Sequence, residues 1–403
     1  MSHPTRKYVT TPGLYITFLS TVLISLPGAI IGIMHVAINP VFGAVLFGIS
    51  IFAAATVLAW AAEVAQMDMS QSLAVAILAL VAVLPEYAVD IVFTWKAGSG
   101  DVDSHHYAIA NMTGANRLLV GLAWPVILLL FIWAKKKKEV VLKQDQHVEI
   151  FYLGLAALYA FIIPLKGSLT IFDTLILATL YALYAKRSAK MESPEPELVG
   201  PVKIVANLRK LPRQNVTALM FAFAGLVIFF VAEPFAESLV KTGEVLGIDK
   251  FLLVQWLAPF ASEMPEFIIV ATWTLRGEAA SSMKAIISSL VNQWTLLVGS
   301  IPLVYSIAAG AVHSFNLDTF QKHEIFLTAA QSIFGVAVLI NLRLSRTSAI
   351  LLFLLFLAQF IVQQIRFEVA VVYLAFAAIY LFRRKSSLRQ AIKTGLGFKK
   401  TNT

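Results

Sequence analysis

Long apolar segments separated by short polar loops follow one another along almost the whole chain. Many of them reach about eighteen residues, the length at which an α-helix can cross the hydrocarbon core of a bilayer. The pattern predicts an all-α polytopic membrane protein with about twelve transmembrane helices. The predicted segments are residues 14–37, 40–62, 71–97, 106–134, 149–164, 169–185, 216–242, 251–275, 282–309, 323–341, 347–363 and 367–383.

The chain divides into two halves that repeat one another. On either side of the polar linker 186–215 stand Leu84-Pro85-Glu86 and Met264-Pro265-Glu266, with their glutamates 180 residues apart. Each Pro-Glu segment is followed by an apolar segment that carries an asparagine, Asn116 in the first half and Asn292 in the second. The predicted divisions are an extra N-terminal helix (1–39), a first repeat (40–185), the linker (186–215), a second repeat (216–363), and a last helix with a basic tail (364–403).

The distribution of charge predicts the topology. The chain is 59% hydrophobic and carries a formal charge of +9, and most of its basic residues lie in short loops, the linker and the C-terminal tail. Cytoplasmic loops carry this excess of Lys and Arg, so we expect both termini in the cytoplasm of a bacterial-type inner membrane and no nucleic-acid partner. Isolated basic residues such as Lys166 and Arg366 are expected outside. The first Pro-Glu helix then starts inside and the second outside, which predicts inverted repeats.

Acidic residues inside the apolar segments are the candidate chemistry. Carboxylates at membrane depth are costly and commonly functional, and a proline there predicts a break in the helix. Helical spacing places Glu86 and Asp90 on one face, and Glu263 and Glu266 on another. Such oxygens suit a hard cation such as Ca2+, which takes six to eight oxygen ligands. The transported ion would be Ca2+, Na+ or H+, and no cofactor is predicted. The candidate ligands are Glu86, Asp90, Asn116, Ser262, Glu263, Glu266, Ser288 and Asn292.

The two Pro-Glu motifs, with the asparagine segments that follow them, resemble the two alpha repeats of the sodium/calcium exchanger family, within the cation/calcium antiporter superfamily. The resemblance covers roughly residues 40–185 and 216–363. It implies two inverted five-helix repeats, here with one extra helix at each end, in an antiporter that works by alternating access. It also implies that Glu86 and Glu266 are the central calcium carboxylates, with Asn116 and Asn292 beside them.

Departures from the family pattern bear on the coupling ion. The family has Gly-Thr-Ser before the Pro-Glu motif, where this chain has Val81-Ala82-Val83 and Ala261-Ser262-Glu263. The family's Gly-Ser-Asn is likewise replaced by Gly114-Ala115-Asn116 and Leu290-Val291-Asn292. Because the first repeat loses neutral oxygens while the carboxylates remain, we expect coupling to protons in preference to sodium.

Other interpretations stay open from the sequence. The chain could be an antiporter for monovalent cations, a cation channel, or a membrane partner protein that transports nothing. Channels usually build their filters around an axis shared by several chains, whereas both acidic motifs here lie in one chain. The HExxH and GxSxG signatures are missing, so an enzyme is not expected. Glu233 and Glu237 could line an access path or lie near a helix end, and the oligomeric state stays open.

Overall fold

A computed structural model describes residues 8–68, 84–190, 198 and 200–398 of the chain. The segment 69–83, which contains Val81-Ala82-Val83, and the linker segment 191–197 lie outside the described residues. The described chain is mostly α-helical. Its helices are α1 (Pro12–Met34), α2 (Pro40–Ala65), α3 (Leu84–Gly98), α4 (Val102–Leu118), α5 (Trp124–Lys135), α6 (His147–Ala160), α7 (Ile162–Lys166), α8 (Ile171–Ser188), α9 (Val202–Ala206), α10 (Lys210–Leu246), α11 (Lys250–Arg276), α12 (Ala279–Asn292), α13 (Val298–Ala308), α14 (Thr319–Leu339), α15 (Arg346–Ile361), α16 (Arg366–Arg383) and α17 (Lys385–Leu396).

Each predicted apolar segment contains a helix in its described part. Seven helical stretches of the described residues are long and apolar enough to cross a membrane. The protein is therefore an integral membrane protein, and the figure of twelve transmembrane helices stays a prediction. The seven stretches are Pro12–Met34, Pro40–Ala65, Val102–Lys135, Gln144–Lys166, Lys210–Leu246, Ala279–Ala308 and Gln363–Arg383.

Prolines start some helices and are accommodated inside others. Pro40 stands in the first turn of α2, where its missing N–H costs nothing, and the Asn39 side chain caps that turn by accepting from two backbone amides. The expectation of a break at Pro265 is wrong, because α11 is one continuous helix from Lys250 to Arg276. A proline removes one hydrogen bond, and the turns on either side of it keep theirs.

The described chain forms two compact units. Unit 1 comprises residues 1–92 and 189–265, and unit 2 comprises residues 93–188 and 266–403. Each unit therefore draws on both halves of the sequence. In unit 1, α10 packs along α2 and α1. Two glycines of α1 allow its neighbours to approach closely: a Cβ at Gly32 would lie 2.5 Å from the Phe230 carbonyl oxygen of α10, and one at Gly28 would collide with Ser50 of α2.

Two short antiparallel ribbons tie the halves together within unit 2. Strand β1 (Glu139–Val141) pairs with β4 (Arg343–Ser345), and β2 (Ser168–Leu169) pairs with β3 (Phe315–Asn316). The helices α6 and α7 lead from β1 to β2, and α14 leads from β3 to β4. Since β1 pairs with β4 and β2 with β3, the α6–α7 segment and α14 run in opposite directions, and α6 packs against α14.

Candidate cation site

Glu86 and Asp90 lie in the part of α3 that belongs to unit 1. They are one helical turn apart, as predicted, and each side chain is only 1% exposed. Two carboxyl groups are thus held in a dry environment on one face of one helix. Such a pair is costly when fully ionised, so it requires cations or protons to balance its charge.

The second Pro-Glu helix, α11, carries Ser262 and Glu263 in unit 1 and Glu266 in unit 2. Ser262 and Glu263 are buried, and Glu266 is half-buried. The Ser262 hydroxyl donates to the carbonyls of Ala258 and Pro259, at 3.3 and 3.1 Å. Because a hydroxyl donates only one proton, its oxygen keeps lone pairs with which it can bind a cation.

The two asparagines occupy matching places in unit 2. Asn116 lies near the end of α4 and Asn292 ends α12, and both are fully buried. A π-helical turn follows each helix, Leu119–Ala123 after α4 and Gln293–Leu297 after α12. The helix α4 packs against the second π turn, and α12 packs against the first. Unit 2 thus brings the asparagine-bearing ends together, and π turns of this kind are frequent at functional sites.

Asn116 presents an oxygen rather than a nitrogen. Its amide Nδ2 donates to the carbonyl oxygen of Met112 one turn earlier, at 3.0 Å. Its Oδ1 is buried and accepts no hydrogen bond from the described residues. An amide oxygen in this state is a suitable neutral ligand for a hard cation, as the sequence predicts for this residue.

The serines of α12 differ in what they contact. The Ser288 hydroxyl donates to the Lys284 carbonyl at 2.9 Å and accepts from the Tyr184 hydroxyl of α8 at 2.9 Å. Ser289 is buried, and its hydroxyl makes no hydrogen bond to any described residue. Ser289 also stands three residues before Asn292 and shares its face. The geometry therefore favours Ser289 over the predicted Ser288 as an oxygen donor, a difference that helical periodicity alone does not resolve.

A buried charge network stands directly beside Asn116. Arg117 is fully buried and donates to Glu324 of α14 at 2.5 Å and to Gln359 of α15 at 2.8 Å. Glu324 also accepts from Arg366 of α16, which is 4% exposed. Arg366 is therefore not an isolated charge, as the sequence suggested, but a buried partner of Glu324, and its place on the outer side of the membrane stays a prediction. The partners are more than 200 residues from Arg117 in the sequence. The only sequence signal for them is that they are polar or charged residues in or beside apolar segments.

Glu233 and Glu237 of α10 line a cavity of 1020 Å3 in unit 1. The α3 residues that line it include Ala88 and Val92, which lie on the face opposite to Glu86 and Asp90. Most of the other lining residues are apolar. The cavity is therefore lined by a different face of α3 from the acidic pair, and Lys241, which lies 3.6 Å from Glu237, lines it too. The access path at Glu233 and Glu237 stays a prediction.

Comparison with known proteins gives the family. A family model described as sodium/calcium exchanger protein matches the chain twice, at residues 39–188 and 216–365. The crystal structure of an H+/Ca2+ exchanger, CAX, is 41% identical in sequence, with 96% of this chain and 98% of that chain covered and a TM-score of 0.93. No curated protein sequence matches the chain.

Two more distant structures share the fold. YfkE, described as a Ca2+/H+ antiporter, is 14% identical over 91% of this chain and 100% of that chain, with a TM-score of 0.60. The sodium-calcium exchanger NCX_Mj is 16% identical over 84% of this chain and 98% of that chain, with a TM-score of 0.51. The two family matches and the near-complete match to CAX give one conclusion. The chain belongs to the sodium/calcium exchanger protein family.

Proposed function

We propose that this protein is a secondary active antiporter that exchanges Ca2+ for H+ by alternating access. The observation that carries the proposal is the 41% identity, over nearly the full length of both chains, to an H+/Ca2+ exchanger. Buried carboxyl groups on both Pro-Glu helices supply the chemistry, because they can bind either a divalent cation or protons. Sodium is the second candidate for the counter-ion, since the family model is named for sodium/calcium exchange.

Glu86 and Glu266 are proposed as the central calcium ligands. Asp90, Glu263 and Ser262 stand within one turn of them on the same two helices. The amide oxygens of Asn116 and Asn292, with the Ser289 hydroxyl, are proposed as neutral ligands, because Ca2+ takes amide and hydroxyl oxygens as well as carboxylates. A divalent ion balances two carboxylates, and protons neutralise them when the ion leaves, so neither state carries a large buried charge.

The course of the chain in unit 2 supports inverted repeats. With an offset of 176 residues, β1 corresponds to β3, because Glu139 matches Phe315, and the α6–α7 segment corresponds to α14. The pairing of β1 with β4 and of β2 with β3 makes these corresponding segments antiparallel. Inverted repeats are the architecture by which transporters expose one midplane site to the two sides of the membrane in turn.

Flux measurements on purified protein in liposomes test the proposal. We expect saturable Ca2+ uptake driven by a pH gradient without sodium, with proton release in proportion. A sodium gradient at equal pH should drive little uptake. Uptake driven by sodium alone would favour the second candidate. Flux that needs no counter-ion would indicate a channel, and no flux at all would favour a partner protein that transports nothing.

The orientation in the membrane is proposed from charge alone, with both termini in the cytoplasm of a bacterial-type inner membrane. The chain contains no cysteine, so a single introduced thiol can be labelled unambiguously. Lys137 is exposed in the basic loop after α5. A Lys137→Cys protein in intact cells should resist an impermeant thiol reagent, and labelling from outside would reverse the proposed orientation.

A further inference from the structure

The last helix, α17 (Lys385–Leu396), is strongly basic. The chain has no acidic residue after Glu368. The helix α17 also lies beyond the residues that the family model matches, which end at residue 365. The basic residues of this last part of the chain are Arg383, Arg384, Lys385, Arg389, Lys393, Lys399 and Lys400.

One face of α17 is fixed against the rest of unit 2. Ala391 and Gly395 are buried, and a Cβ added at Gly395 would collide with the ring of Phe151 on α6. Arg384, just before the helix, donates to the Ala337 and Val338 carbonyls at the end of α14, at 3.2 and 2.7 Å. These contacts hold the helix in one rotation about its axis, so the faces it shows to its surroundings are defined.

The C-terminal end of the helix is tied as well. Arg187 of α8 donates to the Thr394 carbonyl at 3.1 Å, and the Gln390 side chain donates to Gln144 at 2.7 Å. A cation at the carbonyl end of a helix is favourable, because it satisfies a terminal acceptor and the helix dipole. Anchors at both ends make α17 a fixed surface element of unit 2.

The two edges of α17 beside the fixed face differ in character. At 100° per residue, Ser387, Gln390 and Thr394 fall on one edge, which is polar throughout. The other edge combines exposed apolar and basic side chains. It comprises Lys385, Arg389, Ile392, which is 40% exposed, and Leu396, which is 60% exposed. This second set is referred to as the basic apolar edge.

We propose that the basic apolar edge of α17 lies at the bilayer surface and binds the headgroups of anionic phospholipids. Exposed Ile392 and Leu396 are suited to the boundary between headgroups and acyl chains, where interfacial helices bury their apolar side. Lys385 and Arg389 beside them can extend their charged ends to the phosphates. The absence of any acidic residue from this part of the sequence leaves that positive charge available to an anionic leaflet.

A soluble acidic partner fits the surface less well. Charge would attract it to Lys385 and Arg389, but Ile392 and Leu396 would then remain in water next to the contact. A lipid leaflet satisfies both kinds of side chain at once. Because α17 is anchored to α6, α8 and α14, lipid bound there is expected to stabilise the folded full-length protein.

The first experiment measures the rise in Tm of the full-length protein in detergent when phosphatidylglycerol is added, with phosphatidylcholine as the neutral comparison. We expect a rise with phosphatidylglycerol only, and the Lys385→Gln/Arg389→Gln variant should lose at least half of it. The matched control is Lys241→Gln/Lys250→Gln, which removes the same charge from lysines that already lie 3.6 and 2.6 Å from glutamates. The control should keep the full rise.

A second experiment leaves every basic residue in place. A photo-crosslinking amino acid replaces Leu396 on the basic apolar edge or Gln390 on the polar edge, in protein reconstituted with phosphatidylglycerol. We expect lipid adducts at position 396 and few at position 390. Equal labelling at the two positions, no adducts at 396, or an unchanged lipid effect on Tm in the Lys385→Gln/Arg389→Gln variant would each overturn the proposal. Neither readout depends on which ion the protein transports.

Discussion

The two asparagine helices are alike where they end and different in what holds them. In α4 and α12 the asparagine is fully buried, a π turn follows, and each helix packs on the π turn of the other. The next residue is Arg117 in the first repeat and Gln293 in the second. Arg117 joins a buried charge network with Glu324 and Arg366, whereas the second repeat has a neutral amide at that place. The repeats thus keep the groups proposed to meet the ion, while the residues that support them have diverged.

Ser288 of α12 is a second place where the two repeats have diverged in a residue that packs against a neighbouring helix. Position 288 in the second repeat corresponds to Met112 in the first, where no hydroxyl is present. Ser288 is hydrogen-bonded to Tyr184 of a neighbouring helix, so the residue that distinguishes the repeats has a packing partner. Asymmetry between repeats is therefore not by itself a sign of a lost ion site.

The largest effect is expected from the carboxylates that both repeats share. Glu86→Gln and Glu266→Gln should each abolish Ca2+ transport while the protein still folds and inserts, because an amide keeps the size of the side chain and loses the charge that balances Ca2+. Transport in liposomes at matched protein amounts checks this. Asp103→Asn, at an exposed position in the first turn of α4, is the control and should transport normally. Near-normal flux in either glutamine variant would remove both residues from the ion site.

The next largest effect tests whether Arg117, beside Asn116, stabilises the protein more than Gln293, beside Asn292, does. Arg117→Met removes one charged hydrogen bond to Glu324, which keeps Arg366, and leaves the buried Oε1 of Gln359 without the Arg117 donor. The variant should therefore cost about 1–3 kcal/mol of stability, the penalty for a buried polar group left unsatisfied. Gln293→Met removes no charge and should cost less. Thermal unfolding in detergent measures both as changes in Tm. Equal losses in the two variants would show that the charge network does not distinguish the repeats.

A smaller effect separates the two serines of α12. Ser289→Ala should weaken Ca2+ binding about 2- to 10-fold, the equivalent of one hydrogen-bond-like contact of about 0.5–1.5 kcal/mol. Ser288→Ala should leave Ca2+ affinity unchanged and lower only the Tm, through loss of the contact with Tyr184. Calorimetric titration with Ca2+ gives the affinities. The reverse ranking would restore Ser288 as the ligand predicted from the sequence.

The smallest effect is expected at the ribbon that joins the repeats. Arg343 and Glu139 form an ion pair of 2.9 Å across β4 and β1, but their side chains are 57% and 35% exposed. Exposed pairs contribute little, so Arg343→Gln should change the Tm far less than Arg117→Met. A comparable loss in the two variants would mean that the ribbon is more important to unit 2 than its exposure indicates.

Local patterns predicted the helices and the family motifs, because apolar length and proline-glutamate spacing are properties of short stretches of sequence. The family and the cation antiporter assignment are confirmed by the comparisons. The network of Arg117, Glu324 and Arg366 could not be predicted, because its members are far apart in sequence and only packing brings them together. The ribbons could not be predicted, because strands of two or three residues are too short to show an alternating pattern.

The course of α11 through Pro265 was mispredicted for a different reason. A proline rule describes one residue and its own turn, whereas a helix of 27 residues is held by the hydrogen bonds of all its other turns. Ser288 and Ser289 are adjacent, so helical spacing places both near the Asn292 face. Only the observed contact of Ser288 with Tyr184 separates them.

The central claim is that the same buried carboxyl groups bind either Ca2+ or protons, and proton release on Ca2+ binding tests it most directly. Calorimetric titration of the purified protein in two buffers of different ionisation enthalpy gives the number of protons released per Ca2+ bound. The account predicts measurable release near neutral pH, weaker Ca2+ binding as the pH falls, and loss of Ca2+ binding in Glu86→Gln and Glu266→Gln. Tight Ca2+ binding that releases no protons and is independent of pH would contradict it.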